Sequence, residues 1–420
     1  MNEQPTTLER RLGLADAVVI GLGSMIGAGI FAAFAPAAAA AGSGLLVGLA
    51  IAAVVAYCNA SSSAQLAAQY PTSGGTYVYG RERLGEWPGF LAGWSFVTGK
   101  TASCAAMAMT FAAHVAPPAW QKPLAVAAVL ALAAVNYVGV SRTARLTRII
   151  VGVVLVVLAF VVVAGWAGGG SHAQASSVAS WHGWHGVLQS AGFLFFAFAG
   201  YARIATMGEE VVAPRRTIPR AILTALGITL VLYAVIAATV LHVLGVEQLA
   251  SSTAPLLDVV DASRWPWGAS LVRVGAAAAS LGALLALLAG VGRTTLALAR
   301  NRDLPAWLSA VHPRYRVPHR AEAVLAVVIS LLVLTQDLRG AIGFSSFGVL
   351  LYYFVANVAA ATQADVDRRY PQWVQLLGAL GCLVLVAALP TASIIGGLIM
   401  LAVGVSYRLV RLQLQRHATG

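Results

Sequence analysis

The chain alternates between long apolar runs and short polar stretches. Runs of about the 20 residues that a transmembrane helix needs fall near 12–41, 43–69, 88–114, 122–140, 146–166, 186–208, 218–245, 270–298, 321–336, 340–362, 372–389 and 391–411, twelve in all. The first run follows Arg10 and Arg11. It is longer than the roughly 7–15 residues of a signal-peptide core and ends in no cleavage pattern, so it reads as a span. The pattern predicts an all-α polytopic membrane protein with 12 transmembrane helices in one domain over residues 1–420. The longest loops, about 18 to 25 residues, leave no room for a soluble catalytic or nucleotide-binding domain.

Composition agrees: 59% of residues are hydrophobic and 10% are charged, against about 25% charged in soluble domains. The net charge of +12 would suggest nucleic acid in a soluble chain, but its placement points elsewhere. Twenty basic residues, including Arg81, Arg83, Arg142, Arg148, Arg300 and Arg408, flank the spans on the side of the N-terminus. Only Lys122, Arg264, Arg273 and Arg339 lie on the other. By the positive-inside rule the first side is cytoplasmic, which places both termini there, in a cell (inner or plasma) membrane. The surplus is topological and no nucleic-acid partner is expected.

Of the 27 basic residues, 24 are placed by topology, leaving Lys100, Arg203 and Arg293 inside apolar runs. Ionisable groups in a membrane core are functional candidates; Arg293, near the end of its span, can instead extend to the interface. The acids Asp16, Glu209, Glu210 and Glu322 all fall near span ends. Cys58, Cys104 and Cys382 lie in separate spans and form neither a metal cluster nor a disulfide framework. The string GWSFVTGKT lacks the first glycine of a phosphate-binding loop, Trp94 standing in its place. His172, His182 and His185 are spaced for a metal, but Trp181 and Trp184 make an interfacial lead into the sixth span the better account. Without mid-span acids or histidine clusters, no catalytic site, metal or organic cofactor is expected.

Two spans are interrupted. The first contains Gly21, Gly23, Gly27 and Gly29 within nine residues, and the sixth has Gly200 at its middle. Close helix packing of the small-xxx-small kind suits Gly23 and Gly27; local unwinding around a cavity is the second account. Interrupted helices at corresponding positions of two halves point to a carrier site at the membrane midplane. The N–H groups at a half-helix start suit a carboxylate, and freed carbonyls suit an ammonium group.

The strings GLGSMIGAGIF in the first span and FFAFAGYARIATMGEEVVAPRRTIPRAI in and after the sixth, with PTSGGTYVYGRERLGEWPGFLAGW and RNRDLPAWLSAVHPRYRVP, resemble the amino acid/polyamine/organocation (APC) superfamily over essentially the whole chain. The resemblance implies a LeuT-type fold. Two inverted five-helix repeats, 12–166 and 186–362, have their first helices (1 and 6) unwound, and 372–411 adds helices 11 and 12. It also implies a substrate site of Ser24, Met25, Ile26, Gly27, Ala28 and Gly29 for the carboxylate, with Phe196, Ala197, Phe198, Ala199 and Gly200 opposite. Phe196 matches an aromatic gate over the substrate, with ordinary packing as the alternative.

Departures from the family pattern are informative. Where many relatives carry an acid after the glycine of the sixth helix, this chain has Ala202 and then Arg203. Where some proton-coupled relatives carry a lysine in the fifth helix, it has Val154. The third helix carries Lys100. Burial disfavours the charged amine, so Lys100 is a candidate proton-exchanging group; a structural lysine bonded to unwound carbonyls is the alternative. Arg203 stays protonated and is a candidate for pinning carbonyls or supplying positive field. The expectation is a secondary active transporter taking up free amino acids, neutral ones favoured, with the proton as coupling ion. Sodium lacks support beyond Ser280, which also reads as a packing serine. An exchanger and a non-transporting amino acid sensor are the alternatives.

Overall fold

Proline and glycine set many of the helix ends, as the sequence pattern requires. The structure, a computed structural model, describes residues 11–72, 74–138, 144–167 and 181–419. Arg10, Arg142 and His172 lie outside the described residues. The first span is broken into α1 (Leu14–Met25), α2 (Ala28–Ala32) and α3 (Phe34–Ala41), and α4 (Leu45–Gln69) follows Gly42, whose φ of 60° ends α3. A short α5 (Gly75–Leu84) lies outside the spans and leads through Gly85, at φ 99°, into α6 (Glu86–Val115). Then come α7 (Pro118–Tyr137), α8 (Ala144–Ala167), and the broken sixth span, α9 (Gly183–Phe198) and α10 (Ala202–Ala205). The helix α11 (Pro214–Ser251) kinks at Gly245 and α12 (Pro255–Asp261) is short. The chain ends with α13 (Ala269–Arg300), α14 (His319–Thr335), α15 (Leu338–Ala361), α16 (Gln372–Ala388) and α17 (Thr391–Thr419).

Among the described residues, nine helical stretches are long and apolar enough to cross a membrane, two of them running through the breaks as Leu14–Ala32 and Gly183–Ala205. The other three expected spans are α6, α14 and α16. The last two have 17 residues each. In α6 the apolar criterion fails for a physical reason: Ser95, Lys100, Thr101, Ser103, Thr110 and His114 are buried on it. This helix packs against α7, α13, α14 and α15, so its polar groups face protein rather than lipid. The lipid-facing pattern is clear at the periphery, where Leu376, Leu380, Ile395 and Ile399 are exposed on α16 and α17.

A buried polar ladder pins α15 and the residues just after it to α4. Asn357 of α15 donates to Asn59 Oδ1 of α4 at 2.6 Å and accepts from Ser62 at 2.6 Å. One turn on, Gln65 donates to Gln363 at 2.6 Å, and Gln363 donates to Gln69 at 2.7 Å. Each group left unpaired in an apolar interior would cost on the order of 1–3 kcal/mol, so the ladder fixes register as well as adding stability.

Several of the basic residues assigned to one side by sequence make contacts at the helix ends of that side. Arg148 at the start of α8 pairs with Asp16 at the start of α1, Arg83 reaches Thr362 after α15, and Arg369 donates to the Arg215 carbonyl at 3.0 Å. On the opposite face Lys122 donates to the Leu334 carbonyl at 2.7 Å. The strongest knot on the first face surrounds Asp303, which is 3% exposed. Arg408 of α17 and Arg81 of α5 both pair with it, and Tyr77 donates to it at 2.7 Å. Burial, with the hydrogen bond to Asp303, raises the Tyr77 phenol above its ordinary range and keeps it a donor. Arg408 also lies 4.8 Å over the Phe90 ring and contacts Glu86. The knot ties the last helix to α5, α6 and the segment after α13.

Removing one partner of such a cluster strands buried charge. Asp303→Ala leaves the buried Arg408, and Arg81, only the exposed Glu86 carboxylate and is expected to lower the stability of the purified protein by about 3 kcal/mol. Thermal unfolding in detergent measures the loss; an unchanged midpoint would show the knot to be dispensable.

Candidate substrate-binding site

Each broken span ends its first half at mid-membrane. In the first, α1 stops at Met25, and Ile26 and Gly27 leave helical geometry, Gly27 with φ −57° and ψ −141°. In the sixth the break is milder: a 3₁₀ turn, Ala199–Tyr201, joins α9 to α10. The expected unwinding of helix 6 is therefore a tightened turn, because Gly200 lets the backbone press against α1. A Cβ at Gly200 would collide with the Ser24 carbonyl, and one at Gly29 would lie 2.6 Å from the Ala197 Cα. Close packing and helix breakage, posed as alternatives from the sequence, occur together.

The carbonyls released at the breaks have partners. Tyr233 of α11 donates its single phenolic proton between Met25 O at 2.6 Å and Ala197 O at 3.1 Å. Lys100 of α6 is 7% exposed and donates to Ala199 O at 3.1 Å. Tyr353 of α15 reaches the same carbonyl at 3.4 Å. Three helices thus hold the two breaks together through main-chain oxygens.

A cavity of about 850 Å³ runs from the breaks to the face that carries the Asp303 knot. Ser24, Lys100, Ala199, Gly200 and Arg203 line its deep end and Arg11, Thr72 and Glu209 its mouth. The other expected site residues, Met25, Ile26, Gly27, Ala28, Gly29, Phe196, Ala197 and Phe198, are buried between helices and do not line it. Arg203 donates to Thr206 at 3.3 Å. Phe193, Phe195 and Phe198 are fully buried, and Phe195 packs edge-on against Tyr353.

Toward the other face the path is closed. Phe31 packs edge-on against His114, Phe34 against Tyr233, and His182 Nδ1 lies 3.2 Å from the Ala40 carbonyl. Trp181 and Trp184 stand exposed beyond this seal, as interfacial tryptophans do. Ser280 is fully buried and its hydroxyl has no partner among the described residues. Val154, at the position of the absent lysine, is buried.

Sequence reasoning missed three contributors. Arg293, read as an interfacial arginine, lines the cavity. Tyr233 looked like one more aromatic in an apolar run. Glu322 was placed at a span end, yet it is 5% exposed and lines a second cavity of about 520 Å³. The only cue for Glu322 is its carboxylate in an otherwise apolar run, and that equally suits a favourable charge at a helix start.

Residues 12–406 match the sequence profile of a family described as amino acid permease. An uncharacterized transporter of Mycobacterium tuberculosis is 60% identical over 99% of this chain and 94% of its own length. The branched-chain amino acid permease BcaP of Bacillus subtilis is 26% identical over 95% and 92%. The cationic amino acid transporter 7 of Arabidopsis thaliana is 28% identical over 86% and 66%. With apolar helices along its whole length and this match, the chain is a multi-pass membrane protein that belongs to the amino acid permease family of the APC superfamily.

Proposed function

We propose that this protein takes up amino acids across the cytoplasmic membrane by alternating access, neutral ones favoured, with the proton as coupling ion and both termini in the cytoplasm. The observation that carries this is the cavity that joins the two helix breaks to one face while aromatic and glycine contacts close the other. Such asymmetry is what one end state of an alternating-access cycle requires. The excess of basic residues on the open face makes that state inward-facing. The two five-helix repeats, 12–166 and 186–362, would rock about the breaks, with α16 and α17 as the added pair.

We assign the substrate carboxylate to the space beside Ser24, which Lys100, Arg203 and Arg293 also line, and its ammonium group to the turn of Ala199 and Gly200 in the sixth span; the backbone that follows Ser24 is buried in this end state. No acid lines the deep end of the cavity among the described residues, whereas Lys100, Arg203 and Arg293 do. A second cationic group on the substrate would meet like charge, which supports neutral substrates even though one relative's name mentions cationic amino acids.

Lys100 has two roles to separate, proton carrier and fixed strut. Its bond to Ala199 O supports the strut, since a charged ammonium across the 3₁₀ turn satisfies a carbonyl that helix geometry leaves free. The coupling ion is then a proton held elsewhere. Sodium gains no support, because the unpartnered Ser280 hydroxyl is a single donor atom.

In proteoliposomes, a pH gradient alone is expected to drive accumulation of neutral amino acids. Uptake only against internal amino acid would instead indicate exchange, and binding without flux a sensor. Lys100→Met is expected to lower uptake by about tenfold or more at every pH from about 5 to 8, the cost of a lost charge-assisted bond at the site. An altered pH profile with normal maximal uptake would make Lys100 the proton carrier. Arg203→Ala is expected to weaken apparent substrate affinity by about fivefold to tenfold through lost positive field; unchanged affinity and turnover would leave Arg203 a packing role.

A further inference from the structure

The second cavity lies beside the first, between α1, α7, α8, α13 and the start of α14. The two share Leu12, Ser24, Arg203, Glu210, Ala286 and Arg293. Glu322 belongs to the second alone. Its side chain lies on the backbone of α13 at Gly292, where a Cβ would come 3.2 Å from Glu322 Cγ. Glycine at that position makes the room.

The carboxylate is enclosed yet unsupported. Its Oε2 is inaccessible to solvent and accepts no hydrogen bond among the described residues. An ionised carboxylate in that setting carries a large desolvation cost, and a protonated one does not. A helix-start carboxylate that merely answered the dipole would be exposed or bonded to main-chain N–H groups; this one is neither. The ionisable groups around the cavity are Arg293 and Arg300 of α13, Arg316 before α14, Arg203 of α10 and Glu210. From α7 and α8 come only the neutral Asn136 and Thr147. His312, His319 and Tyr137 pack edge-on against one another nearby and do not line the cavity.

Arg293 follows Gly292, the residue that Glu322 packs on, and it lines both cavities, as Arg203 of α10 also does. Among the described residues it forms no ion pair, so its guanidinium is available to either side. We propose that Glu322 is the proton-binding group of the transport cycle and that Arg293 exchanges between the substrate carboxylate and the Glu322 carboxylate. With substrate held by Arg293, Glu322 is protonated. When substrate leaves toward the open face, Arg293 turns to Glu322. The O–H bond of the carboxylic acid then breaks, its electron pair stays on the carboxylate, and the proton passes to water entering past Arg300 and Arg316, which are exposed. One carboxylate thus faces Arg293 at each stage, the substrate's or that of Glu322, and the cycle carries one positive charge inward with each zwitterionic amino acid. This inference rests on the proton-coupled function proposed above.

The proton is tested directly, without reference to substrate. Infrared difference spectra of the purified protein between low and high pH are expected to show the C=O band of a buried carboxylic acid that is absent in Glu322→Gln. In Arg293→Met the same band is expected to persist to higher pH. A band unchanged in Glu322→Gln, or the lack of any such band, overturns the assignment. Reconstituted with L-leucine and L-alanine as probes, Glu322→Gln is expected to keep leucine or alanine counterflow within about twofold of wild type. Accumulation driven by a pH gradient is expected to fall by about tenfold or more. Pumping retained in Glu322→Gln overturns the role in coupling. A wild type that shows the Glu322 band but no pH-driven uptake of any amino acid overturns the coupled function and leaves proton binding at Glu322 standing. Glu322→Asp, which restores a carboxylate, separates coupling from packing: recovery of pumping supports the proton role, and a stable, folded Asp variant with no recovery counts against it.

Discussion

A helix broken inside a membrane exposes main-chain oxygens that have no water to turn to, and each would cost several kcal/mol if left alone. Everything at the centre of this protein follows from how that debt is met. Tyr233 serves Met25 and Ala197, and Lys100 and Tyr353 serve Ala199. Those three side chains come from α11, α6 and α15, so the positions of three surrounding helices are set by the breaks rather than by apolar packing alone. The polar content of α6 has the same origin. A helix whose lysine bonds a carbonyl in the middle of the bundle cannot face lipid there, and α6 packs against α5, α7, α13, α14 and α15 among others.

The glycines act on geometry in a second way. At Gly29 and Gly200 the backbones of the two broken spans touch more closely than any side chain would allow. That contact seals one end of the path and leaves the space beneath it open. Small residues and a tight 3₁₀ turn therefore give both the seal and the cavity, and a bulkier residue at either position would prise apart the same surfaces that movement must separate. The Asp303 knot lies at the open end and ties α17 to α5 and α6, so charge as well as apolar area anchors the last helix.

Most of the frame was legible in the sequence because it rests on one-dimensional signals. Twenty-residue apolar runs, glycine clusters at mid-span and the partition of arginines between alternate loops need no knowledge of neighbours. The contacts of Arg148 with Asp16 and of Arg369 with the carbonyl of Arg215 are compatible with that partition. What escaped depends on which side of a helix faces which neighbour. Tyr233 is indistinguishable from a lipid-facing aromatic until α11 is seen against the breaks. Arg293 and Glu322 both lie near span ends, where the interface offers an easy home, and only the cavity between α13 and α14 shows that neither takes it. Phe196, which the family pattern singles out, is buried here, while Lys100 and Arg203 line the cavity.

Electrostatics sets the last constraint. Lys100, Arg203 and Arg293 converge on one cavity whose acids, Glu209 and Glu210, sit toward its mouth. Like charges at such separations repel strongly when water is thin, so the empty site is held above its lowest energy for as long as solvent is excluded. A solvent-filled vestibule open to one face relieves that repulsion by screening. Closing the vestibule does not, unless a negative group is enclosed with the cations. In the proposed cycle the substrate carboxylate is that group, or the Glu322 carboxylate once the substrate has gone. An empty carrier with a protonated Glu322 would then be the one combination that cannot close, and in the proposed cycle that exclusion would keep a proton from crossing without its amino acid.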